Sequence, residues 1–422
     1  MSDHSKTKIT KLSSKAVPAA VALITITLAW VSIPNLFGNL LVQTTSVLSP
    51  NAKEVAELSM ALAADDPQVR NMFALTRDDQ NEVVRIMEDT VEQAPNDPRW
   101  RVSLGRAYEQ IDQVDKAELQ FKKAVDLAPD HANPRWHLGN FYLRQEREDD
   151  AFEQLRDATR DHARSREQVF SLIWDYSNGE PSQLERVADP GPEPKVYLAR
   201  FLAQRGQGTA ALSVWQQLEP ADKQRFKGIA WWMIQELYAK GNYSQAQEIA
   251  REIGQTASVP ESVTNPSFEE PVLNASEDQF SWQVRAPEKG LTVDSDSQVK
   301  RSGGRSLKIS FRGQTRSELA DVYQTIVVAP ETDYVLNLFL RTEGLRSPVR
   351  PVLQVLGAND GQLLGTTEMF PPDSVEWTKT SVQFRTGPNT TAISIRTFRP
   401  ACGEPCVLAG AVWYDDFELI RR

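Results

Sequence analysis

Apolar residues between Pro98 and Asp161 recur with the period of an α-helix, and the whole pattern then repeats once. The first copy contains Leu104, Gly105, Tyr108, Ala117, Phe121 and Ala124, and the second contains Leu138, Gly139, Tyr142, Ala151, Leu155 and Ala158, each 34 residues later (139 − 105 = 34). A fixed period of this length predicts stacked helix–turn–helix units, each too small to bury its own apolar face. We expect Gly105 to let the two helices of a unit approach closely, with Phe121 filling the space around it.

This order of residues, L-G-x-x-Y, then A-x-x-x-F, then Pro, resembles the tetratricopeptide repeat. Trp100 and Trp136 depart from the family pattern, because each lies one residue from its Trp position, in opposite directions. The resemblance implies a protein partner, bound as an extended peptide or a helix in the groove that the first helices line. It places in that groove Arg106, Gln110, Trp136, Asn140 and Arg144. The alternative is that these are ordinary solvated polar residues.

The repeat pattern weakens on both sides of the clear pair, and we assign residues 61–256 to the array. The stretch from Val69 to Thr76 is a degenerate first helix, as expected of a capping repeat. The proline-rich segment 189–194 is predicted to be a loop, and two further units follow before Gly254. Residues 43–60 and 257–264 are predicted to be linkers.

Residues 265–422 change to an alternating pattern typical of β-strands, in which Leu307, Ile309 and Phe311 alternate with polar residues. Roughly nine or ten short strands without intervening helices predict an all-β antiparallel sandwich. The segments Asn265–Glu269, Ser302–Leu307 and Trp413–Leu419 resemble those of jelly-roll carbohydrate-binding modules of the galactose-binding-like type.

That resemblance implies a structural calcium ion that ties the first and last strands to the Ser-Gly loop. Glu269 and one of Asp415 or Asp416 would supply carboxylates, with carbonyl groups near 300–304. The alternative is that these are surface acids at strand ends. No other cofactor is expected.

A sugar-binding face needs hydrogen-bonding and aromatic side chains on the outer side of a sheet. The strand positions opposite the predicted core carry Asn337, Phe339, Arg341, Gln354, Gln383 and Arg396. Trp282 and Trp377 are candidates for stacking on sugar rings, and the alternative for both is burial in the core.

The N-terminal segment predicts a membrane anchor. Four lysines in residues 1–16 precede a stretch without charge from Ala16 to Ala52, and residues 17–42 supply the ~20 apolar residues that a bilayer span needs. The lysine excess predicts a cytoplasmic N-terminus on an inner (cytoplasmic) membrane protein with one span and its bulk periplasmic or extracellular. The alternative is a cleaved signal peptide, whose apolar region is normally only ~7–15 residues long.

Composition restricts the chemistry. The net charge of −10 and the absence of a basic stripe argue against a nucleic-acid partner. No histidine follows His162, which excludes histidine-dependent catalysis in the sandwich, and neighbouring acids on a strand point to opposite faces, unlike a glycanase pair. We therefore predict no enzyme. Cys402 and Cys406 are close enough in sequence for a disulfide in an oxidising compartment, and two free thiols are the alternative.

The sequence thus predicts a multidomain protein with a transmembrane helix, an all-α tetratricopeptide solenoid and an all-β jelly roll. Its predicted function is a non-enzymatic envelope scaffold, with a protein partner on the repeats, glycan on the sandwich and a role in cell-surface polysaccharide assembly or export. The alternative is a pure protein–protein adaptor whose sandwich binds no sugar.

Overall fold

A computed structural model describes residues 16–160, 163–270, 272, 278–284, 290–314, 322–400, 402 and 406–422. Within the first helix, the side chains of residues 16–20, 24, 27–29 and 31 also lie outside the described set. The predicted basic tail, residues 1–16, falls almost wholly outside it. Contacts divide the chain into two compact units, Met1–Val169 and Phe170–Arg422, and each is described by itself.

The helices occupy the N-terminal three-fifths of the chain. They are α1 (Ala16–Thr44), α2 (Ala52–Leu62), α3 (Pro67–Leu75), α4 (Gln80–Gln93), α5 (Pro98–Gln110), α6 (Val114–Leu127), α7 (Ala132–Arg144), α8 (Glu148–Ala158), α9 (Ala163–Tyr176), α10 (Pro181–Val187), α11 (Pro192–Gln204), α12 (Gly208–Gln216), α13 (Pro220–Arg225), α14 (Lys227–Ala239) and α15 (Tyr243–Glu252). Consecutive helices pack as pairs, among them α5 with α6, α7 with α8, α11 with α12, and α14 with α15.

The 34-residue period appears directly in the turns between paired helices. Gln113 N–H donates to the Tyr108 carbonyl at 2.9 Å, and 34 residues later (147 − 113 = 34) Arg147 N–H donates to the Tyr142 carbonyl at 2.9 Å. One residue before each donor the backbone is left-handed, with φ of 59° at both Asp112 and Glu146. The repeated helix–turn–helix unit is therefore present, while its assignment to the tetratricopeptide family stays a prediction.

The predicted close approach of the paired helices is also present. A Cβ at Gly105 would lie 2.9 Å from the ring of Phe121, and one at Gly139 would lie 2.6 Å from Leu155 Cγ. Phe121 and Leu155 are both completely buried. The small residue of the first helix thus makes room for the large residue of the second in both units.

Two helical segments differ from the sequence prediction. Helix α10 follows Gly179, where only a break was predicted. Helix α11 begins at Pro192, inside the predicted proline-rich loop. Proline is compatible with the first helical turn, where its missing N–H has no partner to lose, so the loop prediction was wrong from Pro192 onward.

Helix α1 exposes apolar side chains along its described length, including Leu23, Ile26 and Trp30. Its last turns pack against the following helices, since Val42 is buried in a cluster with Ala56 and Ala63. Among the residues that the structure describes, none of the helices is both long and apolar enough to cross a membrane.

The C-terminal domain is an antiparallel sandwich of two five-stranded sheets in the described residues, which confirms the predicted sandwich. Its strands are β1 (Gln283–Val284), β2 (Leu291–Asp296), β3 (Ser306–Gln314), β4 (Val322–Val327), β5 (Asp333–Arg346), β6 (Val352–Gly357), β7 (Leu363–Thr366), β8 (Asp373–Arg385), β9 (Ala392–Phe398) and β10 (Val407–Arg421). Sheet A has the order β1-β4-β9-β6-β7 and sheet B the order β2-β3-β10-β5-β8.

The alternating apolar residues of the strands meet between the two sheets. Leu307, Ile309 and Phe311 of β3 are at most 3% exposed and share one core with the apolar residues of β5, β9 and β10. The predicted disulfide is confirmed, because Cys402 and Cys406 are bonded with their Cα atoms 5.7 Å apart. The guanidinium of Arg399, which is fully buried, donates to the carbonyl of Val349 at 3.1 Å and to Cys402 Sγ at 3.1 Å.

The last helical pair packs on the sandwich within the unit Phe170–Arg422. The hydroxyls of Tyr238 and Thr325 are 2.7 Å apart, and the Tyr243 hydroxyl donates to the Ala358 carbonyl at 3.0 Å. Burial raises the pKa of Tyr238 to about 12. Helices α14 and α15 therefore contact the outer side of sheet A near Thr325 and the turn after β6.

Candidate functional site

The three segments that resembled carbohydrate-binding modules meet at one end of the sandwich. The Ser267 and Ser302 hydroxyls each donate to Asp416 Oδ1 at 2.7 Å, and the Arg301 guanidinium pairs with the other oxygen of Asp416. Gly304 N–H donates to the Glu269 carboxylate at 2.9 Å. Hydrogen bonds thus connect the beginning of the domain, the Ser-Gly loop and the last strand, while the calcium ion implied at this place stays a prediction.

Asp415, in contrast, has one carboxylate oxygen without a partner. Its side chain is fully buried, and Oδ2 accepts from the N–H groups of Arg301 and Ser302 at 2.8 and 3.2 Å. Its Oδ1 is buried and has no hydrogen-bond partner among the residues that the structure describes. Burial raises the pKa of Asp415, opposed by those two N–H groups and assisted by the charge of Asp416.

Asp415 and Asp416 therefore differ in their ability to coordinate a cation. Burial, the largest single effect, would raise the pKa of Asp416, but the hydrogen bonds from Ser302, Ser267 and Arg301 outweigh it and lower the pKa. An orphaned buried oxygen such as Asp415 Oδ1 fits a calcium ligand, whereas both oxygens of Asp416 are already occupied. Across the described ranges, no group of three or more His, Cys, Asp or Glu side chains is arranged to hold a metal ion.

The outer face of sheet A carries a straight row of polar and aromatic side chains. Strand pairing aligns Gln283 with Tyr323, Tyr323 with Arg396, Arg396 with Gln354, and Gln354 with Thr366. Neighbouring residues on each strand, such as Ile395 and Val355, point into the core, so the row points outward. One residue from each of the five strands contributes to it.

The middle of this row is polar and partly accessible. Arg396 donates from Nε and Nη2 to Gln354 Oε1 at 3.1 and 3.0 Å, and its guanidinium lies 4.7 Å from the ring centre of Phe398. Tyr323, Arg396, Gln354 and Phe398 are all half-buried. A guanidinium, an amide and two aromatic rings on one flat face can donate hydrogen bonds to sugar hydroxyls and contact the apolar faces of sugar rings.

The predicted sugar-binding residues do not form one site, because they are divided between the two sheets. Gln354 and Arg396 belong to the row on sheet A. Asn337, Phe339, Arg341 and Gln383 lie instead on β5 and β8 of sheet B, on the opposite side of the sandwich.

Three of the sheet B residues, Asn337, Phe339 and Arg341, form hydrogen bonds, a cation–π contact or ion pairs with neighbouring side chains. Asn337 is 7% exposed; its Oδ1 accepts from Ser381 Oγ at 2.7 Å and its Nδ2 donates to Glu418 at 3.2 Å. Phe339 lies under the Arg301 guanidinium, 3.4 Å from the ring centre, and Arg341 pairs with Glu376 at 3.1 Å. Gln383 is exposed on β8.

The two tryptophans predicted to stack on sugar rings lie in different environments. Trp282 is 1% exposed and packs between Phe268 and Phe417, with ring centres 5.2 and 5.0 Å away, so its prediction as a sugar-stacking residue was wrong. It fills the core because a large apolar side chain is most stable away from water. Trp377 is half-buried on the edge strand β8, away from the row on sheet A.

The predicted groove residues of the repeats lie on α5 and α7, the first helices of the two repeated units. Arg106 and Gln110 are exposed, and Arg144 is exposed and pairs with Glu109 at 2.6 Å. Asn140 is 9% exposed, and its side-chain amide donates to the Trp136 carbonyl at 2.8 Å. Its side chain is therefore mostly buried and hydrogen-bonded within α7.

His137, beside these residues, was not predicted. Burial first, and then the charges of Arg106 and Arg144, lower its pKa to about 4, while Glu109 opposes the shift. Its ring meets that of Trp136 edge to face at 4.9 Å. The imidazole of His137 is therefore uncharged at neutral pH, beside the indole of Trp136.

Comparison with known proteins identifies the sandwich more specifically. Residues 260–403 match the family described as "Carbohydrate binding domain". No curated protein sequence matches the chain. The C-terminal domain is thus a β-sandwich like those of carbohydrate-binding modules.

Several solved structures are similar to part of the chain. A structure described as "CBM4 structure and function" is 12% identical over 38% of this chain and 99% of its own, with a TM-score of 0.30. TmCBM61 in complex with β-1,4-galactotriose is 18% identical over 38% and 97%, with a TM-score of 0.27. The CBM22-1 xylan-binding domain from Paenibacillus barcinonensis Xyn10C is 15% identical over 39% and 97%, with a TM-score of 0.26.

Proposed function

We propose that the sandwich binds polysaccharide on the outer face of sheet A, through the row centred on Tyr323, Arg396 and Gln354. The observation that carries this proposal is the presence of that half-buried row on a domain whose residues 260–403 match a carbohydrate-binding family. Ligand surfaces of this kind combine aromatic area with a few convergent polar groups. The row meets both requirements, because the rings of Tyr323 and Phe398 lie beside the Arg396 guanidinium and the Gln354 amide.

Replacing Arg396 with alanine is expected to weaken polysaccharide binding by about ten- to a hundredfold, since a hydrogen bond to a charged group contributes about 1.5–3 kcal/mol. The measurement is affinity electrophoresis of the full chain in gels containing different neutral and acidic polysaccharides, followed by calorimetry with oligosaccharides of the best ligand. Arg385→Ala is the matched control, because Arg385 is exposed on β8 of sheet B and pairs with Asp333 at the surface. Equal binding by both variants would exclude the row as the site.

Calcium belongs to the same proposal in a structural role. Asp415, through its unpartnered Oδ1, and Glu269 would hold the ion, which would supply positive charge at the junction of the first and last strands. Addition of a chelator should then lower the melting temperature of the full chain, and Asp415→Asn should abolish that dependence. A melting temperature that changes neither with added calcium nor with added chelator would contradict this role.

We further propose that the chain is a non-enzymatic scaffold of the cell envelope, anchored by residues 17–42. The uncharged sequence of that segment and the exposed apolar side chains of α1 support the anchor. The exposed residues Arg106, Gln110 and Arg144 on the first helices support a protein partner on the repeats. Polysaccharide assembly or export is the process that would use both the protein partner and the polysaccharide-binding sandwich. Protease added to spheroplasts, whose inner membrane is intact, should remove the C-terminal domain, and protection of that domain would contradict the topology.

The second candidate is a protein–protein adaptor whose sandwich binds no sugar. The paired polar groups of the sheet B face favour it, because they show that outer strand faces in this domain are also satisfied without ligand. Failure of every polysaccharide to retard the full chain, together with a specific protein retained by it, would favour the adaptor.

A further inference from the structure

Helix α14 presents an exposed tryptophan whose ring is held by a second one. Trp231 and Trp232 meet edge to face, with ring centres 4.7 Å apart and planes at 84°. Trp232 is 55% exposed, although Ala230, Met233 and Ile234 on the same helix are completely or almost completely buried. Among the described residues from 170 to 422, Trp232 and Tyr176 are the exposed aromatic side chains. An exposed indole beside a second ring can stack on the apolar face of a sugar ring.

The pair lies beside the edge of sheet A that ends in β1. One turn after Trp231, Gln235 Oε1 accepts a hydrogen bond from Gln279 Nε2, and Gln279 lies four residues before Gln283 on β1. Two turns after Trp231, the Tyr238 ring contacts Phe280 with ring centres 5.5 Å apart, and its hydroxyl reaches Thr325 on β4. Helix α14 therefore lies alongside this edge, with Trp232 about 9 Å along the helix axis from Tyr238 at ~1.5 Å per residue.

The row on sheet A leads toward this helix. Its accessible members follow one another from β7 to β4 at the ~4.8 Å spacing of neighbouring strands, so that this part is about 14 Å long. Gln283 on β1 is 2% exposed and donates to the carbonyls of Asp278 and Ser281. A polysaccharide chain therefore leaves the row at Tyr323 and crosses the turn 278–281, where Gln279 contacts α14. An indole face suits the next sugar, because aromatic rings contact the C–H groups of a sugar ring over a large apolar area.

We propose that Trp232, held in place by Trp231, is a stacking platform that continues the polysaccharide site of sheet A onto the last helical pair. The ligand class is a linear polysaccharide longer than the row, and one chain contacts sandwich and helix together. The inference rests on the proposed function of the sheet A row. It assigns the helical region a direct role in binding the sugar, beside its proposed role in binding protein. The Trp231–Trp232 contact restricts the indole before binding, which reduces the entropy lost when the sugar is bound.

The test compares long and short ligands on the full chain. Trp232→Ala should weaken binding of a polysaccharide, or of an oligosaccharide of eight or more sugars, by about tenfold, which corresponds to about 1.4 kcal/mol. It should leave binding of a disaccharide or trisaccharide unchanged, because these ligands end on the row. Tyr176→Ala, which removes a 43% exposed aromatic side chain from α9, is the matched control and should change neither.

The outcomes separate this inference from the proposed function. If Arg396→Ala weakens binding and Trp232→Ala changes neither long nor short ligands, the platform is excluded while the row stands. If Trp232→Ala weakens long and short ligands equally, the indole acts at the row itself and the continuation onto α14 is wrong. If the unmodified chain binds no polysaccharide, the proposed function fails and the platform fails with it.

Discussion

Replacing Gly410 with alanine is expected to destabilise the sandwich by about 3 kcal/mol or more, the sum of a strained backbone and an overpacked contact. Gly410 has φ of +109° and lies where the pairing of β10 with β5 shifts between Ala409 and Ala411. A Cβ there would lie 2.4 Å from the Gly344 carbonyl oxygen and 2.7 Å from Leu345 Cα. These are backbone atoms of a central strand, so they cannot move aside without breaking the ladder of hydrogen bonds. Urea denaturation of the full chain, followed by the tryptophan fluorescence of the sandwich, measures the loss.

Gly313→Ala is the control that separates strain from steric overlap. Gly313 is on β3, also has a left-handed backbone with φ of +96°, and has no atom within 4 Å of where its Cβ would be. Only the conformational cost applies there, about 1–2 kcal/mol. Equal losses for the two variants would show that the bulge between β10 and β5 relaxes to accept a side chain. That outcome would contradict the tight contact.

The core of the sandwich was predictable because a strand alternates its side chains between two faces. Leu307, Ile309 and Phe311 are buried as the alternation required. The three segments near Glu269, Ser302 and Asp415 also meet as their resemblance implied. The buried face of β3 could be predicted because local sequence determines which side of a strand is apolar. The meeting of the three segments could be predicted from the family motifs.

The sugar-binding face could not be predicted to the same degree, because alternation does not show which sheet a strand joins. Asn337 and Arg396 occupy equivalent outward positions on their strands, yet one belongs to sheet B and the other to sheet A. Sheet order depends on pairings between residues that are distant in sequence, such as β4 with β9. Tyr323 and Phe398 were missed for the same reason. Tyr323 becomes a candidate because β4 pairs with β9 and places it opposite Arg396, and Phe398 because its ring lies beside the Arg396 guanidinium.

Among the helices, the repeated pair was predicted because its spacing is regular, whereas α10 and the start of α11 were not. Both begin with a proline at the first helical position, Pro181 and Pro192. Proline ends a helix in its interior and begins one at its N-terminus, so the residue alone does not distinguish the two cases. The apolar residues after it do, as Val196 and Leu198 show by their burial.

Phe121→Ala is expected to destabilise the helical region by about 3–5 kcal/mol, the usual cost of removing a buried aromatic ring. Phe121 is completely buried, lies against the Cα of Gly105, and packs on Phe141 with ring centres 5.3 Å apart. Its removal leaves a cavity between α5, α6 and α7. Leu119→Ala on the same helix is the control, because Leu119 is 49% exposed and its loss should cost less than about 1 kcal/mol. Thermal denaturation followed by circular dichroism at helical wavelengths measures both.

The chain itself supplies an intermediate variant. Leu155 occupies in the second unit the place that Phe121 occupies in the first, 34 residues earlier (155 − 121 = 34), and it contacts Gly139 as Phe121 contacts Gly105. Phe121→Leu should therefore be accommodated at a cost of roughly 1.5 kcal/mol, as for other apolar replacements of similar volume. If leucine costs as much as alanine, the two units are not packed equivalently despite their common period. If alanine costs no more than the Leu119 control, the ring does not hold the unit together, and the repeat would depend on its turns instead.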